Sequence, residues 1–397
     1  MKRVLALTSI RSDYDLMSSL YRLLSDDPEI ELKLLVSGAH LSSTYGQSIE
    51  LIQRDGFDIL LAIETLIDAN SHQSRLKTAS IFLQNAVDTI AHYQPDLILL
   101  AGDREDVIMG ALLGGFLEIP TVHFYGGDHV QDGHIDNPVR HATSKLATAH
   151  MVCLEEHRQR LISMGESTER IFTIGSIALD RFKSHQPTPS HELLKNLEVG
   201  ENFKNFATLI FHPVAEEKDI CHQIFEEILK ELKKAQIATF VSTPNTDPGN
   251  RNIQSVIDRY HGDKNFHFYK NLTRDTFLDI YKNSLFLIGN SSSGILEAAS
   301  IPLPAINVGL RQTGRRANKN VIFCSTEPTD IAMAIQTARS TGFKTSIENI
   351  QNIYGDGLSA TRAYKIIKKT NWKKILRKKE DPLDTNIVPT KSKELET

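Results

Sequence analysis

Short runs of apolar residues alternate along this chain with longer stretches in which apolar residues recur at helical spacing, such as residues 16–24 and 79–92. Apolar runs separated by helices are typical of parallel sheets built from βα units, whose strands are buried on both faces. In the first half of the chain, strands are predicted at Val4–Thr8, Leu32–Val36, Leu97–Ala101, Thr121–Phe124, Met151–Leu154 and Ile171–Ile174.

The same alternation begins again after the proline-containing segment Gln186–Ser190. The second set of strands is predicted at Ala207–His212, Ile237–Ser242, His267–Tyr269, Leu285–Ile288 and Ala305–Val308. Two consecutive blocks of this kind predict an α/β protein with two Rossmann-like domains and a central cleft. We expect the domains to span residues 1–185 and 186–355, with a helix at 356–372 completing the first, and a disordered tail at 379–397.

Composition narrows the class of protein. The chain has 397 residues and a net charge of −4, so no overall positive field draws it to nucleic acid or to an anionic membrane. Its apolar runs are too short for a membrane span, and Arg11 follows the first run too soon for a signal peptide. We therefore expect a cytoplasmic protein. Basic residues crowd only at 368–379, where a solvated segment is the ordinary expectation.

Polar side chains follow four strands of the first predicted domain. Because the carboxyl ends of parallel strands meet at one edge of a sheet, we expect these side chains to form the wall of a site. They are Arg11 and Asp13 after the first strand, His40 after the second, Asp103 and Arg104 after the third, and Tyr125, Asp128, Asp136, Arg140 and His141 after the fourth.

Each of these residues also has an ordinary structural interpretation. Arg11, Asp13 and Asp103 precede predicted helices and could cap them. His123 follows an apolar stretch and is typical of a buried, hydrogen-bonded histidine. The histidines and aspartates of residues 128–141 match no short metal-binding spacing, so no metal site is predicted.

The second half contains a loop of small residues, Gly289–Gly294, between a predicted strand and a helix. Small residues let a phosphate approach the backbone N–H groups of a helix start, and the hydroxyls of Ser291, Ser292 and Ser293 add donors. Glu297 lies about one turn farther, where a carboxylate can accept hydrogen bonds from ribose. A serine cap with a nearby glutamate is the structural alternative. The segment Arg311-Gln312-Thr313-Gly314-Arg315-Arg316 follows the next strand and supplies cations for a diphosphate.

Taken together and in order, these motifs resemble those of the hydrolysing UDP-N-acetylglucosamine 2-epimerases of sialic-acid and related nonulosonic-acid biosynthesis. The resemblance covers about residues 1–370. It is carried by Arg11-Ser12-Asp13-Tyr14, Gly102-Asp103-Arg104, Gly126-Gly127-Asp128, Ile135-Asp136, Arg140-His141, Phe211-His212-Pro213, Pro244-Asn245 with Asp247, Gly289–Gly294 with Glu297, and Arg311-Gln312 with Gly314-Arg315.

The resemblance implies a glycosyltransferase-B-like fold that holds UDP in its cleft and needs no cofactor. It implies that UDP is eliminated from the UDP-sugar to leave a glycal. Water then adds to the glycal and gives a free sugar inverted at carbon 2. Asp103 and Asp136 match the acid–base carboxylates. Asp128 stands where the family usually has a glutamate after the two glycines. Tyr125 replaces the residue that the family has immediately ahead of these glycines. Both Asp128 and Tyr125 are further catalytic candidates. Nucleotide positions are Arg11, Arg104, His212, Asn245, Ser291, Ser292, Ser293, Gly294, Glu297 and Arg311, and sugar-site candidates are His40, Arg140 and His141.

Several functional possibilities remain open at this point. The sugar is either N-acetylglucosamine or a 2,4-diacetamido-trideoxyhexose, and we expect a homodimer or homotetramer that binds neither nucleic acid nor membrane. A glycosyltransferase, a non-hydrolysing epimerase or a nucleotide-sugar-binding protein without catalysis is the alternative. The chain has no basic amphipathic segment for a membrane-bound acceptor. Asp103 and Asp136, which match the family's acid–base carboxylates, favour an enzyme that transfers protons over a glycosyltransferase.

Overall fold

Seven parallel strands from the first half of the chain form one sheet. A computed structural model of the protein describes residues 1–68, 71–130, 135–214, 219–244, 249–270 and 272–381. The strands are β1 (Lys2–Thr8), β2 (Ile30–Ser37), β3 (Ile59–Ile63), β4 (Leu97–Ala101), β5 (Thr121–Phe124), β6 (Ala149–Val152) and β7 (Ile171–Thr173). Their order across the sheet is β3-β2-β1-β4-β5-β6-β7.

Six further parallel strands form a second sheet. They are β8 (Phe206–Ile210), β9 (Ala238–Ser242), β10 (Phe266–Tyr269), β11 (Leu287–Gly289), β12 (Ala305–Val308) and β13 (Val321–Cys324). Their order is β10-β9-β8-β11-β12-β13. Two parallel α/β sheets, one after the other along the chain, confirm the predicted fold class.

Helices connect the strands of both sheets. They are α1 (Arg11–Ser25), α2 (Ile49–Arg54), α3 (His72–Tyr93), α4 (Glu105–Phe116), α5 (Asp136–Leu146), α6 (Glu155–Ser163), α7 (Asp180–Ser184), α8 (Ser190–Asn196), α9 (Cys221–Lys234), α10 (Asn250–Tyr260), α11 (Arg274–Asn283), α12 (Ser292–Leu296), α13 (Pro328–Arg339), α14 (Thr341–Ile347) and α15 (Ser359–Lys369). None of these described helices is long and apolar enough to span a bilayer.

The strands that the sequence pattern missed lie at the edges of the sheets. β3 and β13 are continuous apolar runs in the sequence, yet in the structure they are partly exposed along most of their length, as edge strands can be. β6 begins two residues before its predicted start because it contains a polar residue, His150. That side chain is fully buried, since it bonds to Glu166 at 2.9 Å.

The last helix of the chain packs on the first sheet. Ala363 and Ile367 of α15 share a hydrophobic core with Tyr14 and Leu20 of α1 and with Val4 of β1. The chain therefore returns to the first sheet after it has completed the second.

Most basic side chains of the segment 368–379 are exposed, as expected of a solvated segment, but Lys378 is partly buried against the first sheet's layer. Lys378 donates a hydrogen bond of 2.6 Å to the buried carboxylate of Glu166. Of the predicted tail at 379–397, residues 382–397 lie outside the described part of the chain. Disorder of that tail stays a prediction.

Candidate active site

Three carboxylates at the carboxyl edge of the first sheet surround one buried guanidinium, that of Arg140 on α5. The Arg140 side chain is 4% exposed, forms an ion pair with Asp103 and donates to the Asp128 carbonyl at 3.2 Å. Burial acts to lower the pKa of Arg140, but Asp103, Asp128 and Asp136 raise it above its usual value. Arg140, predicted at the sugar site, is thus the common partner of the three predicted acid–base residues.

Asp128 connects this cluster to the second domain. Its Oδ2 atom lies 2.7 Å from Nη2 of Arg315, and its Oδ1 atom lies 3.5 Å from Nε2 of His157 and accepts from the His129 amide at 2.9 Å. Burial would raise the pKa of Asp128, but Arg315, Arg140 and His157 hold it well below the usual range. Asp128 is therefore ionised at neutral pH and fixes the arginines of both domains in place.

Asp103 and Asp136 are the more accessible members of the cluster, with side chains 26% and 37% exposed. Asp136 is the first residue of α5, and its Oδ1 atom lies 3.6 Å from Nη2 of Arg75. The hypothesis that Asp103 caps α4 is wrong, because the N-cap position is Arg104 and it makes no side-chain cap. Asp103 and Asp136 are therefore accessible to a ligand, and Asp103 is also held by its ion pair with Arg140.

Tyr125 lies in the turn directly after β5, close enough to Glu297 to be affected by its charge. Tyr125 and Gly127 have φ values of 65° and 75°, and a Cβ at Gly127 would collide with the His157 carbonyl. Burial raises the pKa of the Tyr125 hydroxyl well above its usual value, the charge of Glu297 adds to this, and Ser176 opposes it. The hydroxyl stays protonated at neutral pH, so it can donate or relay a proton but cannot act as a base.

Two predicted sugar-site histidines lie in different environments. His40 is fully buried, and its ring nitrogens lie 2.9 Å from the Thr8 hydroxyl and 2.8 Å from the Ser48 hydroxyl. His141 stacks on His129 with ring centroids 5.7 Å apart and planes inclined by 9°. His40 therefore orders the loop after β2, and His141 stands beside Arg140 on α5.

Asp13 and His123 have structural roles. Asp13 accepts hydrogen bonds from the Ser9 and Ile10 amides and so caps α1. His123 bonds to the Ser144 hydroxyl at 2.9 Å, and burial lowers its pKa to about 3. The structural interpretation of each residue is confirmed.

The serine loop, residues 289–294, is anchored to the neighbouring strand by Asn290. The Asn290 side chain accepts from the His212 amide and donates to the His212 carbonyl, both at 2.7 Å. Gly289 has a φ of 133°, and a Cβ there would collide with the Ile210 carbonyl. The loop therefore passes close to the end of β8 before α12 begins at Ser292.

Polar groups converge on this loop from two sides. The Ser291 hydroxyl accepts from the Ser293 amide at 3.3 Å, so the capping interpretation is observed. Arg311 and Gln312 both donate to the Asn290 carbonyl, at 3.1 and 3.0 Å. A helix start with hydroxyls and a guanidinium beside it is the chemistry that binds a diphosphate.

Glu297 is buried at the end of α12 and has one oxygen free to bind a ligand. Its side chain is 5% exposed, and its Oε1 atom accepts from Arg181 at 2.7 Å. Its Oε2 atom is buried and has no hydrogen-bond partner within the described residues. Burial raises the pKa of Glu297, and Arg181 opposes that shift. Because an unsatisfied buried acceptor is costly, a ligand hydroxyl at Oε2 would stabilise the site.

Arg11 lies where the two domains meet. Its Nε atom lies 3.3 Å from Asp15, and its Nη2 atom donates to the carbonyl of Leu272 in the second domain. Arg274 of the second domain pairs with Asp15 at 3.0 Å and with Asp55 at 3.4 Å. Charged contacts thus close one side of the cleft in this conformation.

The structure brings most of the predicted nucleotide residues together at the carboxyl edge of the second sheet. Asn245 lies outside the described residues, as do residues 131–134 of the histidine-containing segment. Within the described ranges, no three His, Cys, Asp or Glu side chains are grouped to hold a metal. The nucleotide residues found near one another are His212, Ser291, Ser292, Ser293, Gly294, Glu297 and Arg311.

Two arginines complete these clusters: Arg181 was not predicted from the sequence, and Arg315 was predicted with a different partner. Arg181 lies in α7, between the two sheets, and no motif surrounds it. Arg315 belongs to the arginine-containing segment that begins at Arg311 and was interpreted as a source of cations for a diphosphate. The structure pairs it with Asp128 instead, a contact between domains that no local pattern encodes.

Comparison with known proteins agrees with this geometry. The family model described as UDP-N-acetylglucosamine 2-epimerase matches residues 22–368. The chain is 33% identical over 367 residues to the UDP-N,N'-diacetylbacillosamine 2-epimerase (hydrolyzing) of Legionella pneumophila, covering 92% of this chain and 96% of that protein. It is 32% identical over 342 residues to a UDP-N-acetylglucosamine 2-epimerase of Neisseria meningitidis, covering 86% of this chain and 89% of that protein.

A solved structure shows the same fold. The crystal structure of UDP-GlcNAc 2-epimerase from Neisseria meningitidis bound to UDP-GlcNAc superimposes with a TM-score of 0.76 at 18% identity, covering 93% of this chain and all of that one. The match of the family model over most of the chain, together with the Legionella relative, settles the family. This chain belongs to the UDP-N-acetylglucosamine 2-epimerase family.

Proposed function

We propose that this protein is a hydrolysing 2-epimerase, which converts a UDP-2-acetamido sugar and water into UDP and the free sugar inverted at carbon 2. The observation that carries the proposal is the cluster of Asp103, Asp128 and Asp136 around the buried Arg140, linked by Arg315 to the domain that holds the serine loop. The similarity to a relative named as hydrolysing supports it further.

The proposed reaction has two steps. In the first, a base removes the proton on carbon 2, the C–H electron pair forms the double bond to carbon 1, and the bond from carbon 1 to the UDP oxygen breaks. In the second, water adds to carbon 1 and a proton is delivered to the opposite face of carbon 2. The sugar gains one water and UDP leaves with the electron pair of its bond. Since no net oxidation occurs, we propose that no redox cofactor is needed.

The positions of the side chains suggest how the work is divided. Asp103 and Asp136 are partly exposed and act as the acid–base pair at carbon 2. Arg140 forms an ion pair with Asp103 and so fixes the position of that carboxylate beside the substrate. The serine loop and Arg311 hold the diphosphate, where charge develops as UDP leaves.

Product analysis tests this proposal. Purified protein is incubated with UDP-N-acetylglucosamine and with UDP-N,N'-diacetylbacillosamine, and UDP and free sugar are quantified by NMR. We expect equal amounts of UDP and a free 2-epimeric sugar from at least one substrate. Asp103→Asn should reduce the rate about 10²–10⁴-fold, whereas Asp88→Asn, at an exposed position of α3, should retain it. An epimerised product still attached to UDP, or no UDP release, would contradict the proposal.

A further inference from the structure

Gln312 and Arg315 connect the serine loop of the second domain to Asp128 of the first. Gln312 is buried, and its Nε2 atom donates to the Asn290 carbonyl at 3.0 Å. Its Oε1 atom accepts from Nη1 of Arg315 at 2.7 Å. The other terminal nitrogen of Arg315, Nη2, lies 2.7 Å from Oδ2 of Asp128. Three hydrogen bonds in series therefore run from the serine loop to the carboxylate cluster.

The local backbone places these two side chains next to each other. Gly314 has a φ of 85°, in the region that favours glycine, and the Arg315 amide donates to the Gln312 carbonyl at 3.2 Å. This turn brings Arg315 beside Gln312, so its guanidinium contacts Gln312 with one nitrogen and Asp128 with the other. A planar guanidinium holds two acceptors at fixed angles, whereas an ammonium group acts as a single point of charge. Arg315 is thus suited to fix the orientation of the Asp128 carboxylate as well as its charge.

Arg315 is one of several groups that hold Asp128. Burial raises the pKa of Asp128, and the charge of Arg315 is the foremost of those that lower it, ahead of Arg140 and His157. Arg140 donates to the Asp128 carbonyl and also forms an ion pair with Asp103. The contacts that begin at the serine loop therefore extend to a proposed acid–base residue.

We propose that Gln312 and Arg315 are positioning residues through which a nucleotide bound at the serine loop holds Asp128 in the orientation that the reaction uses. The inference rests on the proposed function and adds to it a coupling between the two domains. A diphosphate at the start of α12 fixes the loop that carries the Asn290 carbonyl, and the contacts described above transmit this order to Asp128. The carboxylate cluster is then best ordered while a UDP-sugar is bound, which limits the proton transfer to that state.

Steady-state kinetics of Arg315→Met test this coupling, with Arg316→Met as the matched control. Arg316 is the next residue and its side chain is exposed, so the control loses the same charge away from Asp128. We expect Arg315→Met to lower kcat about 10–10²-fold, the scale of a misplaced catalytic group. The KM and the Kd of UDP should change by less than about threefold, because the serine loop and Arg311 remain. Arg316→Met should match the wild type.

Two further variants separate the coupling from a simple ion pair. Arg315→Lys keeps the charge but cannot hold Asp128 and Gln312 at once, so it should recover only part of kcat. Gln312→Met leaves the pair between Arg315 and Asp128 but removes the bond to Asn290, and it should also lower kcat. Full activity of Gln312→Met, or a loss in Arg315→Met that appears only in KM, would overturn the inference.

A double-mutant cycle tests whether Arg315 acts through Asp128. If it does, Arg315→Met combined with Asp128→Asn should lose no more activity than Asp128→Asn alone. Losses that multiply would show that the two residues act independently and would contradict the proposed role. Thermal unfolding shows whether each variant folds. If Arg315→Met does not fold, Arg315→Lys takes its place in the cycle and in the exchange experiment.

Hydrogen–deuterium exchange with UDP as the ligand tests the coupling without any turnover. In the wild type and in Arg316→Met, UDP should slow exchange of the amides in residues 125–130 about threefold or more, the scale of one hydrogen bond. In Arg315→Met, UDP should still protect residues 289–296 but should no longer protect residues 125–130. Unchanged protection of residues 125–130 in this variant would overturn the coupling. If protection behaves as expected but the wild type releases no UDP from either UDP-sugar, the coupling stands and the hydrolysing function fails.

Discussion

Replacing Glu297 by glutamine isolates the part of the site that should recognise ribose. In the free protein, Oε1 of Glu297 is already engaged by Arg181 at 2.7 Å, whereas Oε2 is buried without a hydrogen-bond partner among the described residues. The glutamine variant can keep an oxygen toward Arg181, but it then presents an NH₂ donor where Oε2 stood. A ribose hydroxyl that donates to Oε2 in the wild type would lose its acceptor.

The size of the effect follows from this geometry. One hydrogen bond from a hydroxyl to a buried carboxylate is worth about 1.5–3 kcal/mol, which corresponds to roughly 10–150-fold in Kd. Calorimetry should therefore show that Glu297→Gln weakens UDP binding by about this factor. Binding of 2',3'-dideoxy-UDP, which lacks both hydroxyls, should change little between wild type and variant.

The pH dependence of UDP binding gives the same test a second readout. The pKa of Glu297 is raised in the free protein, and bound ribose favours the ionised form. Wild-type affinity should therefore fall as pH decreases through this raised pKa, beyond any fall that the glutamine variant shows from titration of UDP itself. Equal weakening of UDP and dideoxy-UDP by Glu297→Gln, or parallel pH profiles, would refute the ribose assignment.

Four further predictions address other parts of the structure. Asp136→Asn should reduce turnover about 10²–10⁴-fold while calorimetry shows unchanged UDP affinity, and near-normal turnover would exclude its acid–base role. Ser292→Leu places a bulky side chain at the start of α12 and should abolish measurable UDP binding, so retained affinity would move the diphosphate elsewhere. Tyr125→Phe should lower turnover at least about tenfold if its hydroxyl relays a proton, and an unchanged rate would reject the relay. The pKa of Glu166 is lowered to about 2, burial opposing this while His150 and Lys378 favour the charge. Its contribution, on the order of 3 kcal/mol, should be present above about pH 4.5 and lost as pH falls toward about 2. Glu166→Gln should remove this contribution in denaturant titrations.

The residues that the sequence located correctly are those whose position follows from local pattern. Residues 97–101 form a strand with the predicted bounds because every side chain in it is buried, which makes the apolar run continuous. Asp103 comes two residues after the end of that strand, so its place at the carboxyl edge of the sheet was predictable. The serine loop was predictable for the same reason, since it joins a buried strand to a helix.

Contacts between residues that are far apart in the chain could not be predicted from local sequence pattern. Arg140 was expected to meet the sugar, but its partners come from loops after β4 and β5 that only the folded sheet brings together. Arg315 reaches Asp128 across 187 positions of the chain, and Arg181 reaches Glu297 across 116.

In the proposed reaction, UDP leaves by elimination and water then adds to the resulting double bond. The decisive experiment is to incubate the wild-type protein with its UDP-sugar in deuterated water and to analyse the products by mass spectrometry and NMR. We expect UDP and a free sugar that carries one deuterium at carbon 2 in every turnover. A free sugar that retains the original hydrogen at carbon 2 would contradict it, because simple hydrolysis or transfer never breaks that C–H bond.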